Sequence, residues 1–361
     1  MINLDKISIS SEATLLEALK KMDSAKTKLL IILDNDYYVN LISIGDIQRS
    51  IIQNIPLESK VSEIDIDKKI VCNTEDDISR IKSIMLDIRA DFMPIIDNGH
   101  VVNVFFREDL FDKGVKFNDA RNLNLPVVIM AGGKGSRLKP ISNIIPKPLI
   151  PIGDKTIIEN IMDRFIDSGC NNFYLSVNYK KELIQHYFKT STNHKYQIKY
   201  FIEDKPLGTA GSLHLLKGKI DQTFFVTNCD IIIDQDFYDI YDYHRKRKNE
   251  ITLVAALKHY KIPYGTLESS FGGSLETMNE KPEITFKINA GLYILEHHLL
   301  QEIPMDVPFH ITDLIIKVKE RGGRVGVFPV SEGAWIDIGE WPEYIRNARR
   351  FSKNDDHFIG L

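Results

Sequence analysis

Residues 129–153 read IMAGGKGSRLKPISNIIPKPLIPIG and carry the densest chemistry in the chain. A short β-rich run, Pro126 to Met130, ends at a turn containing Gly132, Gly133 and Gly135. Lys134, Ser136 and Arg137 stand in or just after that turn, and Lys147 follows between Pro146 and Pro148. Glycines without Cβ let backbone N–H groups close around phosphate oxygens, and arginine supplies a forked, permanent positive charge. Proline fixes φ on either side of Lys147 and so gives that ammonium a defined direction. The pattern suits a triphosphate held and neutralised at the end of a strand. Two commoner phosphate loops fail on spacing. A Walker loop needs Gly-Lys-Ser/Thr, but Lys134 is followed by Gly135. The dinucleotide fingerprint needs a third glycine where Leu138 stands. The bland alternative, a strand-to-helix turn with solvated cations, stays open on this stretch alone.

The elements that must position these groups follow from periodicity. Val127–Met130, Phe173–Val177, Ile198–Ile202, Phe224–Val226, Leu253–Ala256 and Val325–Val330 read as short buried strands, with helical stretches such as Ile157–Asp167 between them. This βαβ alternation predicts an α/β fold with a mostly parallel, Rossmann-like mixed sheet covered on both faces, and ligands past its C-terminal strand ends. The chain has 361 residues, enough for two domains. A formal net charge of −4 argues against a nucleic-acid surface. Asp5, Glu12 and Glu17 interrupt any N-terminal secretion signal, and no apolar run approaches the ~20 residues of a membrane span. Cys72, Cys170 and Cys229 are scattered and without metal spacing, as in a reduced, cytoplasmic protein.

The first 120 residues hold a duplication. A gapless shift of 63 lays Leu15 on Ile78, Ala18 on Ile81, Met22 on Met85, Ile32 on Ile95, Asp34-Asn35 on Asp97-Asn98 and Asp46 on Asp109. One copy cannot bury both of its faces, so the two are expected to pack as a pair. Residues 112–124 are polar, short of apolar periodicity, and read as the linker. The expected division is 1–120, the end of a linker at 121–125, and a second domain over 126–361.

The repeat resembles the tandem CBS module, a β-α-β-β-α regulatory pair that often binds adenine nucleotides. In that family a Ser/Thr-x-x-Asp holds a ribose. Ser43-Ile44-Gly45-Asp46 fits it, while the second copy keeps Asp109 but has Phe106 in the hydroxyl's place. Helix capping by the two aspartates is the competing reading.

Over residues 125–350 the chain resembles the sugar-1-phosphate nucleotidyltransferases. The carrying motifs are Gly132 to Pro140 with Pro146-Lys147-Pro148-Leu149, Pro206 to Gly211, Asn228-Cys229-Asp230, Tyr264-Gly265, Glu280-Lys281-Pro282, Asn289-Ala290-Gly291 and Trp335 to Gly339. The resemblance implies that Ala131, Gly132, Gly133, Gly135, Ser136, Arg137, Lys147, Gly208 and Thr209 bind the nucleotide. It places Gly265, Glu280, Lys281 and Asn289 at the sugar phosphate. Arg137, Lys147, Asp230 and Asp337 are the catalytic set, with Asp230 and Asp337 holding Mg²⁺. Thr209 and Ala210 are expected to begin a helix.

The stretch Glu203 to Gly211 is similar to enzymes that use GTP. A CBS module fused to such a domain resembles the glucosamine-1-phosphate guanylyltransferases of legionaminic acid synthesis. The implied reaction joins an NTP, GTP first, to a glucosamine-, mannose- or heptose-1-phosphate in a homo-oligomer. The implied partners include an adenine or guanine nucleotide at the CBS pair, but neither nucleic acid nor membrane. CTP or UTP dependence, and an inactive nucleotide-sensing subunit, are the alternatives.

Overall fold

The structure, a computed structural model, describes residues 4–111, 122–190 and 196–351, the last three by backbone alone. Most of the expected linker lies outside the described residues. The chain divides into two compact units, Met1–Ala120 and Arg121–Leu361.

The first unit repeats itself in backbone detail. Strand β1 (Ser8–Ile9), helix α1 (Leu15–Ala25), strands β2 (Leu29–Asp34) and β3 (Tyr37–Ser43) and helix α2 (Ile44–Ile52) form one copy. The second is β4 (Cys72–Asn73), α3 (Ile78–Ile88), β5 (Phe92–Asp97), β6 (His100–Phe106) and α4 (Arg107–Leu110). Thr14 caps α1 and Asp77 caps α3, both by side-chain acceptance from the third helical N–H. Both helices stop at a left-handed residue, Lys26 or Arg89, 63 positions apart. The β2–β3 and β5–β6 hairpins carry bulges at equivalent places, Ile32/Leu33 and Ile95/Ile96. The six strands form one sheet in the order β1-β2-β3-β6-β5-β4, with the two copies meeting at Tyr37↔His100. The copies differ where sequence spacing was silent: Leu15 is buried, its counterpart Ile78 is exposed, and α4 has four residues against nine in α2.

The second unit is built on a seven-stranded sheet. In chain order its elements begin with β7 (Val127–Met130), the small hairpin of β8 (Pro151–Ile152) and β9 (Lys155–Thr156), and α5 (Ile157–Ile166). Next come β10 (Asn172–Val177), α6 (Lys181–Thr190), β11 (Gln197–Ile202), β12 (Phe224–Asn228), β13 (Ile231–Ile233) and α7 (Phe237–Arg247). The chain continues through β14 (Ile251–Lys261), β15 (Thr266–Ser269), β16 (Leu275–Asn279), β17 (Glu283–Leu295), α8 (Ile311–Glu320), β18 (Val325–Val330), β19 (Trp335–Asp337) and α9 (Trp341–Phe351).

The sheet order is β11-β10-β7-β12-β17-β14-β18. Strand β17 runs antiparallel to both of its neighbours, and the other pairings are parallel. The β7, β10 and β12 runs buried on both faces are Val/Ile/Leu/Phe stretches of the sequence, whereas the edge strand β18 leaves Val327 exposed. Strand β17 was not among the expected strands, although its outer half alternates polar and apolar residues as a half-exposed strand does. A core of Val128, Tyr174, Phe224, Val226, Tyr293 and Leu314 packs α8 onto the sheet.

The order has one functional consequence. From β7 the chain moves outward to β10 and β11, then returns to lay β12 on the other side of β7. Neighbouring loops therefore diverge after β7 and β12, which opens a crevice at the C-terminal strand ends. The glycine turn leaves β7 at Met130, and Asn228-Cys229-Asp230 leaves β12 at the register-paired Asn228.

Candidate active site

At that crevice lies a cleft of about 410 Å³. Its lining draws on three loops: Gly132, Gly133, Gly135, Ser136, Arg137 and Lys147 after β7, Pro206 to Thr209 after β11, and Asn228 to Asp230 after β12. Met130, Glu203 and Gly339 complete it.

The phosphate side is tightly built. Gly135 has φ +63°, and a Cβ there would sit 3.0 Å from the Cβ of Lys147, so the turn needs glycine twice over. Three single 3₁₀ turns follow, at Ser136–Leu138, Ile141–Asn143 and Lys147–Leu149, the last opened by Pro146. Lys147 is thereby brought back under the glycines with its side chain only 8 % exposed, and its ammonium donates to Asp230 Oδ2 at 2.5 Å. Arg137 stands more open and pairs with Glu340 at 3.1 Å. Ala131 differs from expectation: it is buried outside the lining, and its N–H donates to the Ser176 carbonyl.

Asp230 and Asp337 come together because β13 and β19 pair antiparallel, setting Ile231 opposite Asp337. The Ile338 N–H donates to the Asp230 carbonyl, and the Gly339 N–H to Asp337 Oδ1 at 2.6 Å. A Cβ on Gly339 would lie 2.8 Å from Asp337 Oδ1, so glycine gives that carboxylate room, while Asp230 Oδ2 would be at ordinary contact, 3.5 Å away. Burial pushes the Asp337 carboxyl above its usual range, the Gly339 N–H opposes this, and the Asp230 charge adds to the rise. Two crowded, partly buried carboxylates facing a phosphate loop are a donor set that fits Mg²⁺. That ion takes one or two carboxylates and completes its shell with substrate phosphates and water. Burial, with Asp230 adding and Lys147 opposing, pushes the Cys229 thiol at the cleft wall up to about 12, so it stays protonated near neutral pH.

Glu203 was not singled out by sequence reading. It is buried, lines the cleft and accepts a short bond from the buried Ser176 hydroxyl. Gly132 makes room for it, since a Cβ there would be 3.1 Å from Glu203 Oε1. A buried carboxylate beside the apolar Met130, Pro206 and Leu207 is costly without donors to meet it. Its sequence signals were its place at the head of the Glu203–Gly211 stretch, which is similar to enzymes that use GTP, and its position directly after a buried strand.

Gly208 and Thr209 line the cleft, but both are also structural. Gly208 has φ +79°, and a Cβ there would be 2.7 Å from the Phe309 carbonyl oxygen. The Thr209 hydroxyl accepts from the Ile311 N–H at the start of α8. The expected helix at Thr209 and Ala210 is instead a 3₁₀ segment, Gly211–Leu216, starting one residue later. The Phe309 carbonyl accepts from both Ala210 and Gly211, which holds that backbone away from α-helical pairing.

The four sugar-side residues do not line the cleft. Gly265 and Glu280 adjoin, with a Cβ on Gly265 falling 3.0 Å from Glu280 Oε2, and Glu280 meets the exposed Lys281 ammonium at 3.8 Å. Asn289 lies within β17, where its side chain accepts from the Gly291 N–H. Gly291 in turn packs on Asn228 of the cleft, with room for no Cβ.

In the first unit, Ser43 and Asp46 form a reciprocal capping box on α2, and the buried Asp46 carboxylate also takes Arg49 and Lys69. Asp109 is exposed on α4, where Phe106 supplies no cap.

Residues 126–354 match the nucleotidyl transferase family, and residues 2–53 match the CBS domain. The chain belongs to the nucleotidyl transferase family and carries an N-terminal CBS domain. It is similar to the mannose-1-phosphate guanyltransferase of Aspergillus oryzae, 28% identical over 255 residues, covering 65% of this chain and 70% of that one. The mannose-1-phosphate guanylyltransferase catalytic subunit beta of Drosophila pseudoobscura pseudoobscura is 30% identical over 224 residues, 60% of each chain. Among solved structures, HddC from Yersinia pseudotuberculosis complexed with GMP-PN superposes with a TM-score of 0.50 at 26% identity. That match covers 63% of this chain and all of HddC.

Proposed function

We propose that the chain transfers GMP from GTP to a sugar-1-phosphate, releasing pyrophosphate and forming a GDP-sugar. Glu203 carries this reading. Guanine offers two adjacent donors, N1–H and the 2-amino group, and a carboxylate accepts both at once. Adenine and cytosine put a ring-nitrogen acceptor beside their amine, and uracil has a single donor between two carbonyls. Each would leave a buried carboxylate facing an acceptor. The guanyltransferase names of the relatives, and the GMP-PN bound to HddC, support the same base.

The chemistry needs no general base, because the sugar phosphate is already anionic. One of its oxygens attacks the α-phosphorus in line, the bond from the α-phosphorus to the bridging oxygen breaks, and pyrophosphate leaves with the electron pair. The residues lower the repulsion between two anions and fix their alignment. Arg137 faces the β- and γ-phosphates. Lys147, released from Asp230, neutralises the reacting phosphates, and the glycine turn and Ser136 offer hydrogen bonds along the triphosphate. Asp230 and Asp337 hold Mg²⁺, which supplies charge stabilisation on the phosphate oxygens. Gly265, Glu280, Lys281 and Asn289 receive the sugar phosphate. Mannose-1-phosphate is the first acceptor to test, with glucosamine- and heptose-1-phosphate beside it, for a role in cell-surface glycan or nonulosonic acid synthesis.

At the first unit we place a regulatory adenine or guanine nucleotide near Ser43 and Asp46, with Asp109 as the second copy's counterpart. Three free cysteines support a reducing, cytoplasmic setting. The four ribonucleoside triphosphates, each with Mg²⁺ and the three sugar phosphates, provide the test by pyrophosphate release. GTP is expected to lead. A clear preference for CTP or UTP overturns the base, and no release with any pair overturns the enzyme.

A further inference from the structure

Protein carboxylates hold both cations that face the phosphates. Lys147 is held by Asp230, and Arg137 by Glu340, whose Oε1 accepts from the guanidinium Nη1 at 3.1 Å. Asp230 turns to Mg²⁺ once Lys147 leaves it. Glu340 has no such second task. It follows Gly339 of the cleft lining and is itself exposed, so it sets a negative charge at the rim of a cleft built for a polyanion. A like charge there works against every triphosphate bound.

The backbone fixes that charge in place. The Glu340 carbonyl accepts from the Tyr344 N–H as α9 begins, and the helix is tied back to the phosphate side. The Trp341 indole N–H donates to the Lys139 carbonyl at 2.7 Å, the Tyr344 hydroxyl to the Pro151 carbonyl at 2.8 Å, and the Asn347 amide to the Asp337 carbonyl at 3.1 Å. Residues 340 and 341 thus meet residues 137 and 139, which lie 203 and 202 positions earlier. The two contacts divide the work. Trp341 grips the loop's backbone, and Glu340 grips only a side chain, so Arg137 can change partners while the loop stays put. The acid within α9, Glu343, is taken by Arg346. Among the described residues, Glu340 is the one hydrogen-bonding partner of Arg137.

Taking the reaction given above, we propose that Glu340 is a positioning residue that acts through Arg137. Its carboxylate holds the guanidinium at the cleft rim while the site is empty, yields it to the β- and γ-phosphates of a bound triphosphate, and takes it back as pyrophosphate leaves. The exchange trades one ion pair for another, and the carboxylate left behind faces water. The two side chains are 63% and 56% exposed, and a pair so open shifts an equilibrium by only about two- to five-fold. GTP and pyrophosphate present the same two phosphates, so Glu340 loosens both by the same factor. GMP lacks them and leaves Arg137 with Glu340.

Isothermal titration of the full chain with GTP, inorganic pyrophosphate and GMP, each with Mg²⁺ and without sugar phosphate, tests this in wild type and in Glu340→Gln. Glutamine keeps the side chain's length and removes its charge. The variant is expected to bind GTP and pyrophosphate about threefold more tightly and GMP as wild type does. In an Arg137→Met background the same substitution is expected to leave all three affinities unchanged, because no guanidinium remains to be released. In steady state, pyrophosphate is expected to inhibit Glu340→Gln at about a third of the wild-type concentration, with KM for the sugar phosphate unchanged. GTP binding that is unchanged or weaker in Glu340→Gln overturns the proposal, the weaker case making the carboxylate a prop that aims Arg137 at bound phosphates. Equal tightening for all three ligands, or tightening that persists beside Arg137→Met, overturns it too, by making Glu340 a distant charge. A wild type that binds none of the three overturns the nucleotide reading and this proposal together, whereas the other adverse results leave that reading standing.

Discussion

Replacing Glu203 by glutamine changes one buried oxygen into an NH₂ and almost nothing else. The amide oxygen can still accept from Ser176 or from guanine, but the new N–H group faces a guanine donor. One charge-assisted bond, worth about 1.5–3 kcal/mol, is lost, and an unpaired donor in a closed slot adds about 1–2 kcal/mol more. At 1.36 kcal/mol per decade, kcat/KM for GTP is expected to fall roughly 10²–10³-fold. Inosine triphosphate provides the internal standard because it keeps N1–H and lacks the 2-amino group. Wild type is expected to favour GTP over ITP by roughly 30-fold, the worth of about 2 kcal/mol. In Glu203→Gln that preference is expected to shrink to a few-fold. Steady-state pyrophosphate release with both triphosphates gives the ratio, and thermal unfolding checks the fold. An unchanged GTP/ITP ratio, or an equal fall for every triphosphate, would refute base reading by Glu203 and leave it a structural acid beneath Gly132.

Four further outcomes follow from the same geometry. Asp230→Asn and Asp337→Asn are each expected to lower kcat by about 10³ and to weaken Mn²⁺ binding read by electron paramagnetic resonance, since each removes half of the carboxylate pair. Lys147→Met is expected to lower kcat by about 10²–10³ yet to raise Mn²⁺ affinity in the nucleotide-free protein, because the ammonium no longer neutralises Asp230. Gly208→Ala is expected to cost about 2–4 kcal/mol in urea unfolding, because its Cβ would meet the Phe309 carbonyl and its φ is +79°. Glu250 is held down to about 2, chiefly by the Arg321 guanidinium, opposed by burial and helped by His298. Its contribution is complete above pH 4.5 and is lost as pH falls towards 2. Melting temperature should therefore drop across that window in wild type and drop less in Glu250→Gln.

Much of the fold was legible because its signals are local. The 63-residue shift reappears in helix caps, left-handed stops and hairpin bulges, each set by residues within a few positions. The strand-to-glycine turn, Lys147 between prolines, and Asp230 and Asp337 at strand ends were legible for the same reason. What escaped depended on contacts distant in sequence. Strand β17 was missed although its inner half, residues 290–295, is a buried apolar run, because its outer half pairs only with β14, stays wet and interrupts that run with Glu283, Thr285, Lys287 and Asn289. Glu203 headed the GTP-like stretch in the sequence, but its individual place appeared only when Ser176, 27 residues earlier, and Gly132 were packed against it. The capping box of Ser43 and Asp46 was written in the sequence, but its tie to Lys69 was not. The place of Glu280 and Lys281 outside the cleft lining also depends on the course of the chain between β14 and β17, which no tripeptide encodes.

The central claim is that a guanylyl group moves to a sugar phosphate in the cleft between β7 and β12. Labelled [α-³²P]GTP incubated with Mg²⁺, mannose-1-phosphate and the full chain tests it most directly, with products separated by thin-layer chromatography. The account predicts label in a GDP-sugar spot that is lost with Asp230→Asn. Label that stays in GTP, or passes only to GDP or GMP, would contradict it.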